Sequence, residues 1–109
     1  MAILATQAVA LAGLNPTYSS AAAGGDKVEC SDRNFIHVKN GSASSVTVTL
    51  TATAAVFGQA VTNLTVAVPA SAERMIGPIQ PGLLQSTTDG LCAVGYSASA
   101  SVTVASLRI

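Results

Sequence analysis

In "SVTVTLTAT", Ser45 to Thr53, the residues Val46, Val48 and Leu50 fall on one side of an extended chain, and Thr47, Thr49 and Thr51 fall on the other. Successive side chains of a strand point to opposite faces, so this alternation marks a strand with one face buried. Valine and threonine are also β-branched, which costs them freedom in a helix and suits them to a pleated sheet. The pattern recurs outward from here. "LTVAV" sets Leu64, Val66 and Val68 on one face, and "SVTVA" turns Val102 and Val104 inward and Thr103 outward. Ile36 with Val38, Val94 with Tyr96, and the short "ERMI" (Glu73 to Ile76) read as further strands. No long helical period separates them, so crossover helices are missing and the strands are expected to pair antiparallel.

The connections carry turn chemistry. Asn40-Gly41 suits a hairpin, Pro69 stops one strand before the chain turns back into Glu73, and Asp89-Gly90 precedes a strand at Leu91. "AVFGQAV" reads as either a wide loop or a short irregular strand with Phe57 tucked under it. "ERMIGPIQPGLL" is a return strand ended by Gly77-Pro78, because Pro78 has no N–H to give to a ladder. Beyond it Ile79, Leu83 and Leu84 sit on a loop stiffened by Pro78 and Pro81, packed either on their own core or against a partner. Stiffness would lower the entropic cost of docking.

Residues 1 to 34 differ. Leu4, Ala8 and Leu11 fit a helix, Val9 and Leu11 fit a strand, and Gly13 with Asn15-Pro16 ends either. We read this segment as an extended arm packing on another surface, with a short helix capping its own sandwich as the alternative. "SSAAAGGD" reads as a flexible linker. The expected organisation is all-β: an arm and linker over 1–25, then a single small antiparallel β-sandwich, Ig-like or jelly-roll-like, over 26–109.

Composition narrows the function. Only 9% of residues are charged and 4% aromatic, while 50% are hydrophobic, against roughly 25% charged in an average soluble domain. A surface so short of charge is expected to be covered in part by a partner or by copies of itself. The five basic residues Lys27, Arg33, Lys39, Arg74 and Arg108 are scattered, which gives phosphates no stripe to follow and argues against nucleic acid. No apolar run has the roughly 20 residues of a membrane span. The opening "MAILATQAVALAGL" has no Lys or Arg before Lys27, which argues against a secretory signal.

Chemistry-bearing residues are few. His37 is the single histidine, out of phase with Ile36 and Val38, and is expected to be a partly exposed strand residue. No Gly-x-Ser-x-Gly elbow accompanies it. Asp26, Glu29 and Asp32 lack the spacing of a calcium loop and read as solvated loop carboxylates. Cys30, Cys92 and His37 fall short of a zinc set. In a reducing cytoplasm the two cysteines are expected to be buried free thiols, although they could pair across a sandwich. No catalytic residue, metal or cofactor is expected.

Three stretches together resemble a family. "GGDKVECSDRNFIHVKNGSASSVTVTL", "LTVAVPASAERMIGPI" and "YSASASVTVASLRI" look like the small proteins that many tailed bacteriophages encode. These share a Gly-rich segment, a D-R-x-F-x-x-V-x-N strand, a V-P-A turn leading to R-x-I-G-P, and a final Val/Thr strand. Asp32, Arg33, Phe35, Val38 and Asn40 match the strand, and Pro69, Ala70, Arg74, Ile76, Gly77 and Pro78 match the turn, over roughly residues 5 to 109. Where the family carries Gly in the turn, this chain has Ser71. The resemblance implies a non-catalytic virion protein, made in the host bacterial cytoplasm and bound to the outer capsid surface as a head decoration or cement protein. Head-tail connector and tail-associated adhesion module are the alternatives. Its implied partners are the major capsid protein and copies of itself. The residues expected to make those contacts are Ile3, Leu4, Val9, Leu11 and Leu14 of the arm and Ile79, Leu83 and Leu84 of the loop.

Overall fold

A computed structural model describes residues 2–53, 55–60, 62–86 and 89–109. The strands are β1 (Ala2–Ile3), β2 (Thr6–Ala8), β3 (Ser19–Ser20), β4 (Asp26–Glu29), β5 (Asn34–Asn40), β6 (Val46–Leu50), β7 (Ala55–Val56) and β8 (Gln59–Ala60). They continue as β9 (Leu64–Val68), β10 (Glu73–Ile76), β11 (Leu91–Tyr96) and β12 (Val102–Arg108), with one helical turn, α1 (Pro81–Leu84), between β10 and β11. One sheet runs β1-β4-β11-β6-β9 and the facing sheet runs β10-β5-β12-β2, with β3 also on β12. The result is the expected all-β sandwich, antiparallel except where β1 joins β4 and β2 joins β12.

The alternation read from sequence fixes the interior. Val46, Val48 and Leu50 of β6 meet Ile36 and Val38 of β5, Val28 of β4, Cys92 and Val94 of β11, and Val102 and Val104 of β12 in one buried cluster. Its largest fully buried side chains are all Val, Leu or Ile, each contributing roughly 1.5–3 kcal/mol by leaving water. Ile79 and Leu84 close the same cluster. The loop therefore packs on its own core, and α1 starts with Pro81 at a position where the missing N–H costs nothing.

Several expectations change. The arm is extended, as read, but it lies on its own sandwich. It gives β1 to one sheet and β2 to the other, with Leu4 between them only 7% exposed. The linker reading also fails, because β3 pairs with β12 and Ala21 is buried. No boundary falls at residue 25, and the sandwich begins with the first strand. Asn40-Gly41 is not a hairpin turn, since β5 and β6 lie in different sheets. Instead the Asn40 side chain ties two loops together. Its Nδ2 donates to the Ser44, Val68 and Pro69 carbonyls, and its Oδ1 accepts from the Ser42 N–H and hydroxyl.

The corner after β10 has a steric explanation. A Cβ at Gly77 would lie 2.5 Å from Phe35 Cβ and 3.1 Å from the Asn34 carbonyl oxygen, so only glycine lets the chain pass here. The Ile79 N–H then donates to the Asn34 carbonyl at 2.8 Å and holds the corner against β5.

Candidate interaction surface

Phe57 occupies the apex of the β7–β8 hairpin. Val56 pairs with Gln59, which leaves Phe57-Gly58 as a two-residue loop with φ of 51° and 79°. Positive φ at both central residues is the type I′ geometry, which Asn-Gly adopts easily and a bulky aromatic residue does not. The expectation that Phe57 tucks under this connection is thus overturned: its side chain is fully exposed. An aromatic ring held in water on a backbone that disfavours it has no folding rationale among the described residues. Strain of this kind collects where function needs it.

A second apolar region lines the flank where edge strands β9 and β10 face each other. Leu64 and Val66 alternate inward as expected, opposite Leu50 and Val48. At this open side, however, only Val68 of β9 is fully covered, and Leu64 stays 44% exposed. Leu50, Leu64, Val66, Ile76 and Pro78 line a groove of about 240 Å³. Met75 borders it and also a wider one of about 390 Å³ over Phe35, Pro78 and Ile109, with Asp32 and Arg33 beside it. Met75 is 66% exposed and lies on the outer face of β10 opposite His37.

The expected contact residues divide. Leu4, Ile79 and Leu84 are buried in this chain's own core, and Leu83 is half-buried against it, so none of these presents a free face. Leu14 is half-buried. Ile3, Val9 and Leu11 are exposed, with Leu11 standing fully in solvent. Leu11 caps a loop whose two ends are clamped by the Gln7 amide. Its Nε2 donates to the Thr17 carbonyl and its Oε1 accepts from the Thr17 N–H, both at 2.8 Å. The Phe57 apex, Leu64 and Met75 were missed from sequence. The Phe-Gly pair was a signal for the first; nothing in the β9 alternation distinguishes an edge residue from a core one.

Among the described residues, polar clusters form around His37 of β5 and Asp26 of β4, both buried. His37 is buried, contrary to the expectation of a partly exposed residue, because Tyr18 covers the outer face of β5. The Tyr18 hydroxyl and His37 Nδ1 share a hydrogen bond of 2.6 Å, and the rings meet edge to face at 5.4 Å. The Lys39 ammonium lies 4.1 Å above the Tyr18 ring. His37 Nε2 approaches Glu73 Oε1 at 3.2 Å but off the angle of a hydrogen bond. This cluster staples the segment before β3 onto the sheet.

Asp26 is fully buried at the start of β4, not a solvated loop acid. Its Oδ2 accepts from the Tyr96 hydroxyl at 2.8 Å. Burial, with the Asp26 carboxylate adding to it, raises the pKa of Tyr96 and keeps the phenol protonated. On the surface, Asp89 pairs with Lys27 and caps the Leu91 N–H, and these donors hold its carboxyl below the usual range. Cys30 and Cys92 are free thiols, Cys92 buried and Cys30 half-buried. Burial raises both, Cys92 to about 12.

Among the described residues no group of three or more His, Cys, Asp or Glu converges as a metal site, and no helix is long and apolar enough to cross a membrane. Comparison with protein-family models, characterised proteins and solved structures finds no match to this chain.

Proposed function

We propose that this protein is a structural binding module, a head decoration protein that docks on the outer capsid surface of a tailed bacteriophage. The observation that carries the binding part is Phe57, fully exposed at the apex of a hairpin whose turn geometry disfavours it. An aromatic anchor on a two-residue turn reaches a partner pocket with little entropy left to lose. The virion part rests on the resemblance of the strand from Asp32 to Asn40 and the turn from Pro69 to Pro78 to small phage proteins. Low charge and a Thr-rich surface suit a protein displayed in many copies, where weak contacts add if neighbouring copies touch.

The test is the copy number per purified virion, by quantitative mass spectrometry, with immunogold labelling for position. Copies in the hundreds over the head support decoration. A dozen at the neck, or a few on the tail, would replace it with the connector or adhesion reading.

A further inference from the structure

Cys30 and Cys92 meet in a way that neither the fold nor the docking surface requires. β4 and β11 pair antiparallel with Cys92 opposite Val28 and Leu91 opposite Glu29. Val28 and Cys92 both enter the core. Cys30 lies two residues beyond Val28, on the same face, and so is the diagonal neighbour of Cys92. The two cysteines are therefore neighbours within one sheet, not partners across the sandwich. Diagonal positions start wider apart than the roughly 3.5–4.5 Å between Cβ atoms that a disulfide needs. Cys30, however, lies past Glu29, the last residue of the ladder, and before the single bridge from Ser31 to Ile79. Its backbone is thus free of the β4 ladder at the point that has to move.

We propose that Cys30 and Cys92 form a latent disulfide that closes by exchange with a small-molecule disulfide when the protein leaves a reducing medium, covalently tying β4 to β11. Half-exposed Cys30 reacts first. Its thiol loses a proton, and the thiolate attacks one sulfur of the oxidant, forming a mixed disulfide and releasing one thiolate that takes up a proton. Cys92 then loses its proton and attacks the Cys30 sulfur, which breaks the mixed bond and releases the second small thiol. Two protein thiols are oxidised and one disulfide is reduced to two thiols. Because burial keeps both thiols protonated, exchange is slow near neutral pH and quickens as pH rises. The bond encloses a long stretch of chain, so it restricts the unfolded state strongly. This step is independent of where the protein docks.

The experiment incubates the native full-length protein with oxidised glutathione at pH 8.5, then reads intact mass, a non-reducing peptide map and thermal unfolding. The expected result is a monomer lighter by two hydrogens, a Cys30–Cys92 peptide pair, and a thermal midpoint raised by roughly 10 °C. A Cys30→Ser variant, altered only at the half-exposed position, folds and stays at the reduced midpoint in the same oxidant. A stable glutathione adduct at Cys30, a disulfide-linked dimer, or two thiols still open to alkylation after unfolding would each overturn the proposal.

Discussion

Ser71 turns the chain from β9 into β10 with a φ of 56°, in the left-handed region where a Cβ crowds the following carbonyl. That crowding costs roughly 1–2 kcal/mol for an L-residue. The resemblance places glycine at this turn, and the geometry explains why glycine suits it. Ser71→Gly is expected to raise stability by about 0.5–1 kcal/mol, the relief of strain being offset in part by the greater freedom of glycine when unfolded. Urea denaturation of the two proteins measures the difference. Phe57 has the same kind of backbone without any Gly-like role in folding, since its ring contributes nothing to the core. A strained serine can be accounted for by the turn it makes; for the strained, solvent-facing phenylalanine the account is the docking role proposed above.

The arm is the element whose meaning changed most. Leu4 enters the core between β1 and β2, and its N–H donates to the Lys27 carbonyl at 2.9 Å. Leu4→Ala is expected to cost about 2–4 kcal/mol, as other large-to-small core changes do, and removal of residues 2–8 to cost more. Equilibrium unfolding checks both, and an unchanged midpoint would return the segment to the status of a free arm. The sequence showed the long strands because Val46, Val48, Leu50, Val102 and Val104 alternate over several residues. It did not show β1, β2 and β3, which are two or three residues long and too short for any period to register. β4 was hidden by Asp26, a carboxylate at a core position, which reads as loop until Tyr96 is brought beside it from 70 residues away. His37 was placed correctly out of phase with the core, yet its burial depends on Tyr18, a distant residue that no local pattern connects to it. The candidate surface was less legible. Exposed arm residues Val9 and Leu11 were named, but Ile79 and Leu84 differ from surface residues only through contacts made by folding.

As a whole the sandwich holds its ionisable groups unevenly, and this sets its response to pH. Cys92 is raised from 9.0 to about 12 by burial, and Tyr96 is raised as well. A raised value means the folded state holds protons that the unfolded chain gives up, so the stability concerned is intact below about pH 9 and is lost as pH climbs towards 12. The thermal midpoint is expected to fall steadily between pH 9 and pH 11, and Cys92→Val to flatten part of that fall. A flat wild-type profile would mean that these groups are not sequestered.

At the same scale, the open β9–β10 flank, the Leu11 loop and the Phe57 apex leave apolar side chains in water on a molecule with few charges to compensate. The proposed docking role is tested most directly by co-sedimentation of wild-type and Phe57→Asn protein with capsids, purified without it, of the phage proposed to encode it. The substitution creates Asn-Gly, the sequence that a type I′ turn prefers, so the hairpin and the fold are retained while the anchor is removed. Docking through Phe57 predicts saturable binding of the wild type and a loss of at least tenfold in affinity for the variant, equivalent to about 1.4 kcal/mol. Equal binding by a folded Phe57→Asn protein would contradict it.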